Sequence, residues 1–517
     1  MKKQFLLFAI LMVHAAAAEL SVPAFFGDHM VLQADKPVKI WGQSAPGAEV
    51  SAVYNDQTAQ TRADEQGNWS LKLPVLQASA MGASLSISDG RKTLQFEDVL
   101  VGEVWFASGQ SNINWPLKRF DPKQEAIRAA DHPQIRFFQA AQVADVQPQN
   151  DASGQWIVCS PETAGEFSGV GYFYAKRLHA ELGVPVGIIK SAWGGKPIEP
   201  FIRREALAGI PQGKASLEKY DEAVAKYDPD AARERYEQVM LKRYEERLAR
   251  WQANQAEGAP AGKAPDKPAM PPEPGKDSSR PTTIWNGMIH PFVGFTIRGM
   301  IWYQGESNAG NHENAAKYGT LFERKIQDWR EQWGDDFRYL WVQLANYKKP
   351  VTEPGTNDPW AVVQNHQRLA LALPKTGMAV ANDIGEADDI HPLNKFDVGD
   401  RLARWALADE YGKDLVKSGP LYRDHQIIND RVHIQFSHIG TGLKSRDGET
   451  LRHFEIQDEG GKWHWAQAEI KDDQIVVSHP EVNRPAAARY AWAANPATAN
   501  LVNSEGLPAS LFTTEAE

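Results

Sequence analysis

Apolar and polar positions change rhythm twice along these 517 residues. From Leu20 to about Glu97 the runs are short and alternate: Val38 to Trp41, Val50 to Tyr54, Trp69 to Leu73 and Leu85 to Ile87. Pro46-Gly47, Asn55-Asp56, Gln66-Gly67 and Asp89-Gly90 punctuate them. Strands of period two with turn residues between them predict a small antiparallel β-sandwich over 19–97. From 98 to 412 apolar strands alternate with helical stretches, the pattern of an α/β unit with a mainly parallel sheet. Its strands are expected at Val99 to Ala107, Val184 to Ile189, Ile297 to Tyr303, Tyr339 to Leu344 and Met378 to Ala381. Beyond 413 short strands return, including Val432 to Phe436, Trp463 to Gln467 and Ile475 to Val477. They predict a C-terminal β unit over 413–517 that packs on the α/β body or completes the first sandwich.

An insertion interrupts the middle unit at 207–282. Tyr236, Met240, Tyr244, Leu248 and Trp251 recur every three or four residues in a stretch rich in Ala, Glu, Lys and Arg, with Glu246 and Arg250 spaced for an i,i+4 pair. This reads as a long amphipathic helix or helical hairpin. Seven prolines between Gly258 and Pro281 then make an irregular surface loop. A solvated insertion explains the segment more simply than a lid over a site.

The first 18 residues form a different class. Met1-Lys2-Lys3 is basic, Phe5 to Val13 is apolar but too short to span a bilayer, and Ala15 to Ala18 offers small residues for cleavage. They read as a secretory signal cut near Ala18, so the expected location is periplasmic or secreted. No later stretch is long and apolar enough to suggest a membrane helix, and no membrane partner is expected. The single cysteine, Cys159, excludes an internal disulfide and reads as a core filler. A net charge of −10, spread along the chain, gives no basic footprint for nucleic acid. Seventeen tryptophans, several beside Gly or Asn, suit surfaces that stack on sugar rings, although core packing accounts for most of them.

Chemistry enters at the loops that follow the middle strands. Gly109-Gln110-Ser111-Asn112 follows the first, Ser191 to Gly195 the second, Gln304 to Asn308 the third, and Asn382 to Pro392 the last. In open α/β sheets ligands bind beyond the carboxyl ends of the strands, so these loops are expected to share one rim. Ser111, in a Gly-bracketed turn after a buried strand, is placed to be a nucleophile. Alone, Gly-Gln-Ser-Asn is also ordinary turn chemistry. A serine needs a base, and His391 is the histidine that lies after a middle strand beside carboxylates. Asp389 is the expected orienting acid, with Asp388 and Glu386 as rivals. Candidate oxyanion donors are the backbone amides of Ser111 and of Gly194 or Gly195, and the side-chain amides of Gln304 or Asn308. Gln110, Asn112, Trp193 and Glu306 complete the candidates as substrate-contacting or orienting residues. The acids around His391 lack a second His or any Cys, so a metal site there is a weak reading, and neither metal nor cofactor is expected. The histidines beyond 413, His464 and His479 among them, show no paired metal spacing and read as surface or packing residues.

These ordered blocks carry a resemblance. Gly-Gln-Ser-Asn at 109–112, Trp193-Gly194-Gly195 with Ile198-Glu199, Trp302 to Asn308, and Asp389-Ile390-His391-Pro392 with Val398-Gly399 and Arg401-Leu402 resemble the bacterial sialate O-acetylesterase family of SGNH hydrolases. Met30 to Gln33, Val38 to Gly42, Arg489 to Trp492 and Glu505 to Ser510 extend the likeness to both flanks. The resemblance implies a flavodoxin-like three-layer α/β/α core carrying N- and C-terminal β-sandwich segments. It implies Ser111 as nucleophile, His391 as base, Gly194 or Gly195 as oxyanion donor, and cofactor-free removal of O-acetyl groups from sugars. The expected substrate is an acetylated mono- or oligosaccharide, either sialic acid or a plant oligosaccharide such as xyloglucan or xylan. The competing readings are a non-catalytic carbohydrate-binding protein and a serine hydrolase of another ester.

Overall fold

The computed structural model describes residues 19–256 and 262–515, so the expected leader at 1–18 lies outside the described residues. At the centre stands a sheet whose strands we label β1 (Thr93–Gly109), β2 (His132–Gln139), β3 (Trp156–Cys159), β4 (Val186–Ala192), β5 (Gly299–Tyr303), β6 (Arg338–Val342) and β7 (Thr376–Ala379). Their order is β7-β6-β5-β1-β4-β2-β3, parallel throughout except for β3, which runs antiparallel to β2 at the edge. β5, β6 and β7 are buried along their whole length, as is β1 from Val99 onward. This explains their continuous apolar runs: strands covered on both faces have no reason to alternate. Each Val, Leu, Ile or Phe so buried contributes roughly 1.5–3 kcal/mol. The expected middle strands are all present, within a few residues of their predicted ends.

Helices α1 (Ser111–Asn114), α2 (Gly169–Leu182), α3 (His312–Trp333), α4 (Pro359–Leu369) and α5 (Lys395–Asp409) connect or flank these strands. The chain places β4 on one side of β1 and then crosses to place β5 on the other. In register, Gly109 lies opposite Ala192 of β4 and Tyr303 of β5. Three of the predicted loops therefore leave the sheet at one level, where the direction of strand order reverses and a crevice opens.

The division expected between residues 97 and 98 falls inside β1. Its first half pairs antiparallel with Ser79–Ser88 and parallel with Val31–Gln33, while its second half sits in the central sheet. Composition changes at that point, but the ladder continues, because one long strand serves two partners in succession. The N-terminal strands accordingly share one apolar core with the α/β body. Beyond 413 lie two four-stranded antiparallel sheets, Leu421–Ile428 with its partners and Phe454–Gln457 with its partners, around an apolar cluster that includes Val432, Phe454, Ile475 and Tyr490. This unit is tied to the α/β body: Ser510 Oγ accepts from Gln343 Nε2 at 2.8 Å, and Arg446 reaches Asp383 at 3.1 Å.

The insertion is helical over Pro211–Ala225 and from Pro229 to Ala256, with one wider turn at Tyr236–Leu241. Its predicted apolar face is half-buried, covered in part by the proline-rich segment: Tyr236 Oη donates to the Pro268 carbonyl and Trp251 Nε1 to that of Gly262. The predicted Glu246–Arg250 pair takes another form, since Arg250 Nε donates to the Glu246 backbone carbonyl at 3.3 Å. No helix among the described residues is long and apolar enough to cross a membrane. Cys159 is buried, and desolvation pushes its thiol up to about 12, so it fills space and stays protonated.

Candidate active site

At the end of β1 the backbone must turn while pressed against β5. Gly109 has φ +136°, and a Cβ there would lie 2.2 Å from the Tyr303 carbonyl oxygen, so only glycine fits. Gln110 N then donates to Tyr303 O at 2.9 Å and Trp193 N to Gly109 O at 3.0 Å, which ties the turn to both neighbouring strands. Ser111 opens α1 from this fixed base and is only 4% exposed. Its Oγ lies 2.8 Å from His391 Nε2. The two residues are 280 positions apart in sequence, and the fold brings them into hydrogen-bond contact.

The His391 side is built differently. Asp389 Oδ1 accepts from the His391 backbone amide at 2.8 Å and meets its Nδ1 at 3.3 Å. A proton on Nδ1 leaves the Nε2 lone pair directed at Ser111. Asp388 is exposed, and Glu386 instead accepts from Leu393 N at 2.8 Å, so Asp389 is the carboxylate that touches the ring. On its face the ring stacks on Trp115, with centroids 3.7 Å apart, and the Arg119 guanidinium covers the same indole at 3.5 Å. The pKa of His391 lies below the ordinary 6.5, chiefly because burial disfavours the imidazolium; Asp389 opposes this, while Arg119 and Lys395 add to it. The ring is therefore neutral, and competent to accept a proton, at neutral pH.

Ser111 and His391 border a cavity of about 550 Å³, lined also by Gln110, Trp115, Trp193, Gly194, Gly195 and Glu306. Among the described residues the amides of Ser111, Gly194 and Gly195 have no protein acceptor. Gly194 approaches Ser111 so closely that a Cβ there would lie 3.4 Å from Ser111 Cβ. These N–H groups border the same cavity as the Ser111 hydroxyl.

Two predicted donors belong elsewhere. Gln304 and Asn308 are buried behind the cavity wall, and their amides are committed. Gln304 Nε2 donates to Asn308 Oδ1 at 2.7 Å and to Lys196 O at 3.2 Å. Asn308 Nδ2 donates to Glu199 at 3.3 Å, and its Oδ1 also accepts from Ile198 N at 3.0 Å. Together they hold the loop after β4 in place, so their contribution to the site is structural. Gln110 also braces: its Oε1 accepts from Ser307 N at 3.3 Å. Asn112 points away from the cavity and bonds Glu306, Ile390 and Lys395. Trp193 lies on the cavity wall with the Lys196 ammonium 5.6 Å from its ring. Trp115, Gln142, Arg119 and Lys395 are the neighbours that sequence reading misses. Trp115 alone carried a local signal, being four residues after Ser111.

Three comparisons bear on this geometry. The family model for carbohydrate esterases described as sialic acid-specific acetylesterases matches residues 283–408, which contain the loop after β5 and the His391 loop. A crystal structure of a carbohydrate acetylesterase from Xanthomonas citri is 35% identical, with a TM-score of 0.79, covering 96% of this chain and 100% of its own. The chain belongs to this family of carbohydrate esterases. The curated sialate O-acetylesterase of Rattus norvegicus is 26% identical over 95% of this chain and 93% of its own length. That of Homo sapiens is 24% identical over 91% of this chain and 87% of its own.

The esterase carries two further features outside this cavity. A second cavity of about 450 Å³ lies between the N-terminal strands and the α/β body, lined by Trp41, Asn68, Trp69, Asp151 and His290 among others. In the C-terminal unit, His464 and His479 are not isolated as their spacing suggests: their rings lie 4.8 Å apart, beside Glu481. Strand pairing creates this proximity, and each ring already has a partner, His464 Nε2 with Asp458 and His479 Nδ1 with the Glu481 amide.

Proposed function

We propose that this esterase removes O-acetyl groups from carbohydrates by a cofactor-free serine mechanism. The observation that carries the reading is the 2.8 Å contact between Ser111 Oγ and a neutral His391 Nε2 at an open cavity. Ser111 Oγ attacks the acetyl carbonyl carbon as its proton passes to His391 Nε2. The negative charge forming on the carbonyl oxygen meets the amides of Ser111 and Gly194, with Gly195 beside them. One such donor is typically worth ~10²–10³ in rate. Collapse expels the sugar alkoxide, which takes the proton from His391 and leaves an acetyl ester on Ser111. Water, deprotonated by His391, then attacks this ester, Ser111 Oγ leaves with the proton from His391, and the acetic acid released ionises to acetate. Asp389 stabilises the transient imidazolium.

Trp193 on the cavity wall suits the apolar face of a sugar ring, which supports an acetylated mono- or oligosaccharide as substrate. Acetylated sialic acid and acetylated plant oligosaccharides such as xyloglucan or xylan are the two classes considered. In this reading the body is an SGNH-hydrolase three-layer α/β/α core, with β-sandwich segments before and after it, and residues 1–18 direct the chain to the periplasm or beyond. The helical and proline-rich insertion at 207–282 is a surface addition, since none of its described residues lines the cavity.

The test is acetate release by wild type and Ser111→Ala from acetylated sialic acids, acetylated xylan and xyloglucan oligosaccharides, and 4-nitrophenyl acetate. Release that the substitution abolishes supports the reading, and the best substrate names the sugar class. A folded protein that binds these sugars and releases no acetate overturns it in favour of a binding module.

A further inference from the structure

Behind the catalytic pair lies a buried chain of polar groups that the acyl-transfer steps do not use. Asn112, next to the nucleophile, is 1% exposed, and its side chain is saturated. Nδ2 donates to Glu306 Oε1 at 2.6 Å and to the Ile390 carbonyl at 3.1 Å. Oδ1 accepts from Lys395 Nζ at 2.7 Å, and the same ammonium reaches the Pro392 carbonyl at 2.5 Å. The orientation of the amide is fixed by the Ile390 carbonyl, which can only accept and so faces Nδ2. Ile390 and Pro392 are the residues on either side of His391. The peptide carbonyls flanking the base are therefore both clamped, one by Asn112 and one by Lys395.

We propose that Lys395 is a positioning residue for the Ser111–His391 pair, holding the base-bearing loop against the nucleophile-bearing turn through Asn112 and the Pro392 carbonyl. The inference rests on the serine mechanism proposed above. Asp389 does a different part of this work: its carboxylate, 47% exposed, bonds the His391 amide at 2.8 Å and meets the ring at 3.3 Å, both within its own loop. Lys395, by contrast, is 1% exposed at the start of α5. The Phe120 ring lies 4.4 Å from its ammonium, and α2 approaches its stem through Gly169, where a Cβ would stand 3.4 Å from Lys395 Cγ. The charged groups around it are Glu306, Asp389 and Glu386, which favour its cation, and Arg119, which opposes it. Burial dominates and lowers the pKa of Lys395 to about 7, yet a neutral amine keeps two N–H donors, so both clamps survive loss of the proton. Misplacing a catalytic group by about 1 Å can cost ~10²-fold in rate, which is the scale such a clamp protects.

The test is Lys395→Met, which keeps the stem and removes the donors, assayed on 4-nitrophenyl acetate beside wild type and Ser111→Ala. The expected result is a kcat roughly tenfold to a hundredfold lower, with KM within about twofold. The acid limb of the pH profile should move to higher pH, because Lys395 is one of the cations that depress the His391 pKa. A filler of the core would lower the melting temperature and leave kcat within about twofold of wild type, and that outcome overturns the proposal. If Lys395→Met does not fold, Lys395→Met combined with Glu306→Gln removes both buried charges and carries the same readouts. Full activity in Ser111→Ala would instead sink the serine mechanism, so the two failures are distinguishable.

Discussion

Ser111 stands on a turn bound through its backbone to two buried strands, whereas His391 stands on a loop held by side chains that arrive from elsewhere. On the Ser111 side the fixing contacts are Gln110 N to Tyr303 O and Trp193 N to Gly109 O, both main-chain. On the His391 side they are the Asp389 carboxylate, the Trp115 ring, the Asn112 amide and the Lys395 amine. Backbone ladders are set by the sheet itself, so the first half is rigid wherever the sheet forms. Side-chain clamps can be removed one at a time, so the second half is where activity can be tuned without unfolding the protein.

The largest expected effects remove either partner outright. Ser111→Ala and His391→Ala should each lower kcat by at least about 10³-fold, and the double variant should be little worse than either, because the two act as one unit. Steady-state acetate release checks this; additive losses would mean that the halves work independently. Next comes the backbone of the rigid half. Gly109→Ala forces a Cβ to 2.2 Å from the Tyr303 carbonyl at positive φ and should cost roughly 2–5 kcal/mol in urea unfolding. A stable, active Gly109→Ala would show that the turn is not held as tightly as the main-chain contacts indicate.

On the adjustable half the expected effects are smaller. Asp389→Asn should lower kcat about tenfold or less, because the carboxylate is half-exposed and already screened. The smallest effect is a pH shift. His391 must be neutral to accept the proton, and burial lowers its pKa, so wild-type kcat/KM should hold down to a limb below 6.5. Asp389 raises that pKa, so Asp389→Asn should move the limb further toward acid. A limb at or above the ordinary histidine value would contradict the burial argument.

The same contrast governs what the sequence disclosed. Ser111 and the pair Asp389 and His391 are legible because each lies within a few residues of the strand or turn that defines it. So are the middle strands, whose double-sided burial writes itself as unbroken apolar runs. Gln304 and Asn308 misled for a physical reason: residue type and a place after a strand show that an amide is near the rim, not which way it faces, and both face the loop after β4. The clamp at Lys395 was invisible, since a lysine opening a helix looks like any solvated charge until Asn112 and Pro392 are brought to it. The change in composition at 97 likewise says nothing of strand pairing, and the ladder of β1 runs through it.

The central claim is that the acetyl group passes through Ser111. The most direct measurement is to quench the wild-type enzyme during turnover of an activated acetyl ester and map the acetylated peptide by mass spectrometry. The account predicts one added acetyl group, on the peptide containing Ser111, which is lost on standing and absent from Ser111→Ala. Acetate release with no acetyl on the enzyme, or with the acetyl on another residue, would contradict it.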